Sequence, residues 1–201
     1  MSSPPAAKTE GQTGGLGALE STLRRSESKG PAPVHLWNPP YCGEIGMRIA
    51  RDGTWFYQGS PIGRAPLVKL FASVLRKDDD GRHYLVTPVE KIGVDVDDVP
   101  FLAVEMERSG EGQGQTLTFR TNVDDIVSVD AAHPMRFAFE AESDGLMPYI
   151  LVRGALEARV TRALYYDLVE LARTEPVDGV DHLGLWSAGA FFPMIAADEL
   201  A

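Results

Sequence analysis

The stretch MRIARDGTWFYQGSPIGRAPLVKLFASVLR, Met47 to Arg76, decides the fold, because its skeleton recurs in RFAFEAESDGLMPYILVRGALEARVTRALYYDLVELAR, Arg136 to Arg173. Each copy opens on an alternating apolar strand, turns at an Asp-Gly pair (Asp52-Gly53, Asp144-Gly145) and enters a second strand that stops at Gly59 or Gly154. An arginine, Arg64 or Arg159, lies five residues beyond each glycine, and a helix start, Pro66 or Thr161, lies seven beyond it. A later Asp-Gly turn (Asp80-Gly81, Asp178-Gly179) closes each unit. The chain then returns to a short apolar strand, YLVTPV from Tyr84 or LGLWSAG from Leu183.

Working outward, the first helix carries Leu67, Leu70, Phe71, Val74 and Leu75 at a 3.6-residue period. The second places Leu164, Tyr165, Leu168, Val169 and Ala172 on its inner side, and Pro176 ends it. Counted from the glycines, Leu70, Phe71 and Val74 match Tyr165, Tyr166 and Val169. Between the copies, Ile92 to Glu140 is β throughout, with strands at Phe101–Glu107, Gln115–Thr121, Ile126–Val129 and Met135–Phe139 and a Gly-rich hairpin loop at 109–114. The terminal strand covers Leu183 to Trp186, and Phe191, Phe192 and Met194 close the core. Ahead of the first copy, Trp37-Asn38-Pro39-Pro40 reads as an extended lead-in with Trp37 covering one end of a core. Residues 1–33 are rich in Ser, Gly, Pro and Ala and bury too little to offset chain entropy. Leu16, Leu19 and Leu23 there have the spacing of a short amphipathic helix over Gly17 to Arg25 that docks on the body.

The expectation is an α+β protein of two tandem related hairpin-helix-strand units behind a mostly flexible tail (1–33). The first is a small N-terminal α+β unit (34–92). The second is a larger β-rich C-terminal unit (93–201), an antiparallel bent sheet or barrel capped by one helix.

Composition narrows the function classes. A formal charge of −10 over 201 residues repels phosphate backbones and anionic lipid, and no Lys/Arg cluster offsets it, so nucleic-acid and membrane-surface partners are not expected. The one cysteine, Cys42, forms no internal disulfide and points to a reducing compartment. No apolar run approaches the ~20 residues of a membrane span, and no signal-peptide core is visible. The expected setting is the cytoplasm.

Arg64 and Arg159 are the leading site candidates. Free N–H groups and the dipole at a helix start favour an anion, and a guanidinium there completes a phosphate or carboxylate site; Arg153 adds a third cation. The alternative is that each pairs with a carboxylate such as Glu90 or Glu157 and fixes its turn. Thr87, Glu90 and Lys91 gather a hydroxyl, a carboxylate and an ammonium after a strand, either as a cleft wall or as a solvated turn. Trp186 and Ser187 end the matching strand, so a pseudo-symmetric pocket between the units would be lined by Thr87, Glu90, Trp186 and Ser187. The histidines (35, 83, 133, 182) and Cys42 show no metal-ligand or catalytic spacing, the glycines at 110–114 lack the Lys-Ser/Thr of a phosphate loop, and Asp95, Asp97 and Asp98 lack the rest of a calcium loop.

LWNPP, DGTWFYQGSPIGR, LVKLFASVLR, LVTPVEKIGV with DVPF, and PYILVRGALEAR together resemble the bacterial family known as domain of unknown function 1285, over about Val34 to Met194. The resemblance implies a duplicated core with a pleckstrin-homology-like C-terminal half. It also implies a site for a nucleotide-like small molecule between the halves and a role in signal transduction. On that reading Arg64 and Arg159 hold phosphate while Trp37, Tyr57 or Trp186 stacks a base, in a ligand-binding or sensory module whose cofactor is unknown. The rival readings are a protein-interaction scaffold without a small ligand and a hydrolase using Glu90 and Thr87.

Overall fold

A computed structural model describes Gly17, Glu20, Ser21, Leu23, residues 32–140 and residues 145–200. Short apolar-alternating segments separated by positive-φ turn residues form three sheets. The first contains β1 (Tyr41–Ile49), β2 (Trp55–Tyr57), β3 (Ser60–Pro61), β4 (Leu75–Lys77), β5 (His83–Val86) and β6 (Lys91–Val96), in the order β3-β2-β1-β6-β5-β4. Helix α1 (Ala65–Ser73) connects β3 to β4. The second sheet contains β7 (Phe101–Ser109), β8 (Thr116–Thr121), β9 (Ile126–Ser128), β10 (Met135–Phe139), β11 (Leu146–Arg153) and β12 (Leu156–Val160), in the order β10-β11-β12-β7-β8-β9. Helix α2 (Arg162–Leu171) leads from it to a three-stranded antiparallel sheet, β13 (Arg173–Val177), β14 (Val180–Ser187) and β15 (Ala190–Ala196).

The architecture is α+β, mostly strand with two helices. Each six-stranded sheet consists of two three-stranded meanders whose first and last strands lie side by side and parallel, β1 with β6 and β12 with β7. Strand order thus aligns β1–β6 with β7–β12, a different correspondence from the one the glycine offsets give. β6 crosses the expected boundary at 92/93 and pairs with β1 as far as Val96.

Several local expectations are corrected. At Asp52-Gly53 only Gly53 takes positive φ, and Ala50 N–H bonds Thr54 O; the hairpin is a turn followed by a left-handed glycine rather than a two-residue loop. True two-residue turns with both φ positive occur at Gln58-Gly59, Asp178-Gly179 and Ala188-Gly189. Helix α1 stops at Ser73, and Leu75 faces the core from β4, because strand pairing with β5 satisfies the backbone that a longer helix would have used. Helix α2 stops at Leu171, so Pro176 does not end it and sits in edge strand β13, where a missing N–H is tolerated. Phe191, Phe192 and Met194 belong to a full strand, β15.

One apolar cluster runs through the molecule. Trp55 stacks on Phe71 at 6.4 Å, and the cluster continues through Phe101, Phe119, Ile150 and Leu168 to Leu185 and Phe192. Helix α1 commits Leu67, Phe71 and Ala72 to it, α2 only Leu168 in full; Tyr166 and Val169, expected inside, are 57% and 41% exposed. Of the N-terminal helix expected over Gly17 to Arg25, the described residues Gly17, Glu20, Ser21 and Leu23 are helical and Leu23 is buried in the core; Leu16 and Leu19 lie outside the described residues.

Candidate functional site

Strand β12 ends at Val160, and Thr161 turns the chain into α2 as its N-cap without a side-chain capping bond. The first-turn N–H groups therefore lack that internal acceptor and carry the positive end of the helix dipole. A cavity of about 470 Å³ opens at this point. Leu102, Leu146, Met147 and Val160 give it an apolar wall, Tyr165 and Tyr166 an aromatic one, and Arg159, Arg162 and Glu140 its charges. The tyrosine rings meet edge to face at 6.1 Å.

The two arginines differ in what they are free to do. Arg159 is 15% exposed and fully engaged: Nη1 lies 3.3 Å from Glu140 Oε1, Nε lies 3.7 Å from Asp98, and Nη2 donates to Arg51 O at 2.9 Å. Arg51 Nη1 reaches the same Glu140 oxygen at 2.9 Å, so one carboxylate joins guanidiniums 108 residues apart in the chain. Asp98 also lies 3.4 Å from the Tyr149 hydroxyl, whose pKa is raised by burial and by that carboxylate. Arg162 is exposed, and among the described residues the partner of its guanidinium is the Tyr166 hydroxyl, to which Nε donates at 3.4 Å. Among the twelve described arginines nine lie within 4.0 Å of a carboxylate. The other three, Arg108, Arg162 and Arg173, all line cavities. In a chain with 29 acidic and 19 basic residues an unpaired guanidinium is the exception, and its placement in a cavity is informative.

Of the ten residues singled out in the sequence, Arg159 alone lines this cavity, from β12 and just ahead of the N-cap Thr161. Arg64 is the N-cap of α1, 64% exposed and bonded to Glu20 at 3.2 Å. Arg153 bonds Asp125 at 2.9 Å and Ala72 O at 2.6 Å, which ties β11 to the end of α1. Thr87 is fully buried, and its hydroxyl accepts from Val89 and Glu90 N–H groups as a turn lock. Lys91 bonds Asp78 at 3.1 Å and covers the Tyr84 ring. Trp37 lends its carbonyl to Arg76, and the Tyr57 hydroxyl accepts from Gln58. Ser187, also fully buried, accepts from Leu117 N–H at 3.0 Å and donates to Val129 O at 2.6 Å, pinning the third sheet to the second. Trp186 lines a separate, smaller cavity. Neither of these cavities gathers Thr87, Glu90, Trp186 and Ser187. Sequence reading missed Arg162 and the outward Tyr166; the signal available was the RALYY run directly after the N-cap threonine.

Among the described residues no group of His, Cys, Asp and Glu is placed to hold a metal ion, and no helix is long and apolar enough to cross a membrane. The profile described as "Domain of unknown function (DUF1285), N-terminal domain" matches residues 32–99, and "Protein of unknown function (DUF1285), C-terminal domain" matches residues 100–194. The crystal structure of a DUF1285 family protein from Silicibacter pomeroyi is 49% identical with a TM-score of 0.85, covering 94% of this chain and 99% of that one. The chain belongs to the DUF1285 family. A second DUF1285 structure, from Shewanella baltica, is 29% identical with a TM-score of 0.50 over 63% of this chain and 91% of that one. No curated protein matches the chain. In DUF1285 terms the described lining residues of the cavity all belong to the C-terminal region, and Arg159 carries its connection to the N-terminal region through Arg51.

Proposed function

We propose that the cavity at the start of α2 binds a small anionic, nucleotide-like molecule, and that the protein works as a cytoplasmic ligand-binding or sensory module in signal transduction. The observation that carries this reading is Arg162: a guanidinium without a carboxylate partner among the described residues, beside first-turn N–H groups, at a cavity walled by two tyrosines and four apolar side chains. The anion would sit on Arg162 and the helix start, and a base or other flat apolar part would lie against Tyr165 and Tyr166. Arg159 supports a sensory role, since it forms the cavity floor while bonding the Arg51 carbonyl across the junction. The same reading takes the shared strand order of the two six-stranded sheets as a duplicated core, with the second sheet and α2 as its pleckstrin-homology-like half.

The test is thermal unfolding against a panel of nucleotides and phosphorylated metabolites. A ligand that binds only the folded state adds about 2.7 kcal/mol at a hundred times its Kd, a rise of roughly 5–10 °C for a chain of this size. The shift is expected to shrink sharply in Arg162→Gln and Tyr166→Ala, two exposed positions whose loss leaves the fold intact. A shift of equal size in both variants would remove the cavity from consideration.

A further inference from the structure

The other two described arginines without a carboxylate partner, Arg108 and Arg173, line one small cavity, and neither belongs to the site at the start of α2. Arg108 lies near the end of β7, where the chain leaves for the β7–β8 loop, and its side chain makes no hydrogen bond or ion pair among the described residues. Arg173 opens β13 just past α2; its Nη1 donates to Ala172 O at 2.7 Å and Glu170 O at 3.4 Å. Those bonds offset the negative end of the helix dipole, which would otherwise oppose an anion here. The walls are fixed independently of the arginines. Trp186 is held by Nε1 donating to Glu175 at 3.0 Å, and Gln115, 4% exposed, donates to Trp186 O at 2.8 Å. Glu111 also lines the cavity and bonds neither arginine, so the three charged side chains leave one net positive charge in about 180 Å³.

We propose that this cavity, between the β7–β8 loop and the end of α2, is a second binding site, for a compact oxyanion such as a phosphate or a carboxylate, held by Arg108 and Arg173 beside the Trp186 indole. Two guanidiniums that converge from separate elements onto one small volume offer the forked donors such a group accepts. At about 180 Å³ against about 470 Å³, this cavity suits a compact oxyanion better than the larger molecule proposed for the start of α2.

The protein has three tryptophans, and the indole N–H of Trp186 is the local reporter. In ¹⁵N-labelled full-length protein at constant ionic strength, inorganic phosphate and, separately, acetate are titrated while the three indole resonances are followed, with Trp186 assigned from Trp186→Phe. The Trp186 resonance is expected to move along a saturable curve with at least one of the two anions. Arg108→Gln, which breaks no existing bond, is expected to weaken that curve at least about tenfold, as loss of a charged hydrogen bond does. Glu111→Gln is expected to tighten it roughly two- to fivefold by removing an opposing, partly exposed charge. Arg162→Gln should leave it unchanged, which separates this site from the other. A linear, unsaturable response to both anions, or a saturable one that Arg108→Gln does not weaken, would overturn the proposal.

Discussion

His83 lies on β5 with 8% of its surface exposed, and burial, with a smaller contribution from Lys77, pushes its pKa down from 6.5 to about 4. The unfolded chain takes up the proton first as pH falls, so the contribution of neutral His83 is complete above about pH 6.5 and lost progressively toward pH 4. Wild type is expected to lose about 2–3 kcal/mol more than His83→Gln between pH 7 and 4.5 in urea unfolding, beyond what the carboxylates remove from both. Arg153 shows how a cation reads differently in sequence and in structure. It was legible as a third cation near Arg159, yet its neighbours Asp125 and Ala72 O come from 28 and 81 residues away. Burial raises the Asp125 pKa, Arg153 lowering it in part, and burial likewise lowers that of Arg153 itself. Arg153→Met strands a half-buried carboxylate and an α1 carbonyl, and calorimetry should show a loss of about 2–3 kcal/mol. Ligand binding at the start of α2 should be unaffected.

At the level of elements, α2 is held lightly and offers its outer side to solvent. Leu168→Ala, at a fully buried position, is expected to cost about 2–4 kcal/mol in denaturant unfolding, whereas Tyr166→Ala should stay within ~0.5 kcal/mol. The reverse order would mean that α2 packs by its tyrosine face. Gly184 marks the irregularity in β14, where a Cβ would lie 2.5 Å from both Phe191 Cζ and Phe192 O. Gly184→Ala is therefore expected to cost about 1–3 kcal/mol, seen as a melting point lowered by a few degrees. Strong alternation made β7, β8, β10 and the Met47–Ile49 end of β1 readable, and apolar periodicity located both helices. The failures have physical causes. β3 and β4 are two and three residues long, too short for a period to register, and β13 contains a proline that only its edge position permits. Helix α2 carries apolar residues on more of its surface than it buries, so periodicity placed Val169 inside, while the match to Phe71 counted from the glycines placed Tyr166 there.

The molecule as a whole is tied across its two regions by few contacts of high consequence. Arg51 and Arg159 share Glu140, Arg153 holds the end of α1, Lys69 of α1 pairs with Asp124, and Gly53 packs against Leu102 and Asn122. None of these joins neighbours in sequence, so the surface where the two regions meet was not legible in one chain read alone. The cavity lies beside that junction, with Arg159 serving both. Arg159→Ala should accordingly lower stability and ligand binding together, whereas Arg162→Gln should lower binding alone. The most direct measurement is an amide-resolved titration of ¹⁵N-labelled protein with adenosine monophosphate. Saturable shifts are expected at Arg162, Ala163 and Leu164 in the first turn of α2, with a weaker response at Arg51, and their loss in Arg162→Gln. Saturable binding that leaves the first turn of α2 unmoved, or no saturable shift at all, would contradict a nucleotide-like anion site at this helix.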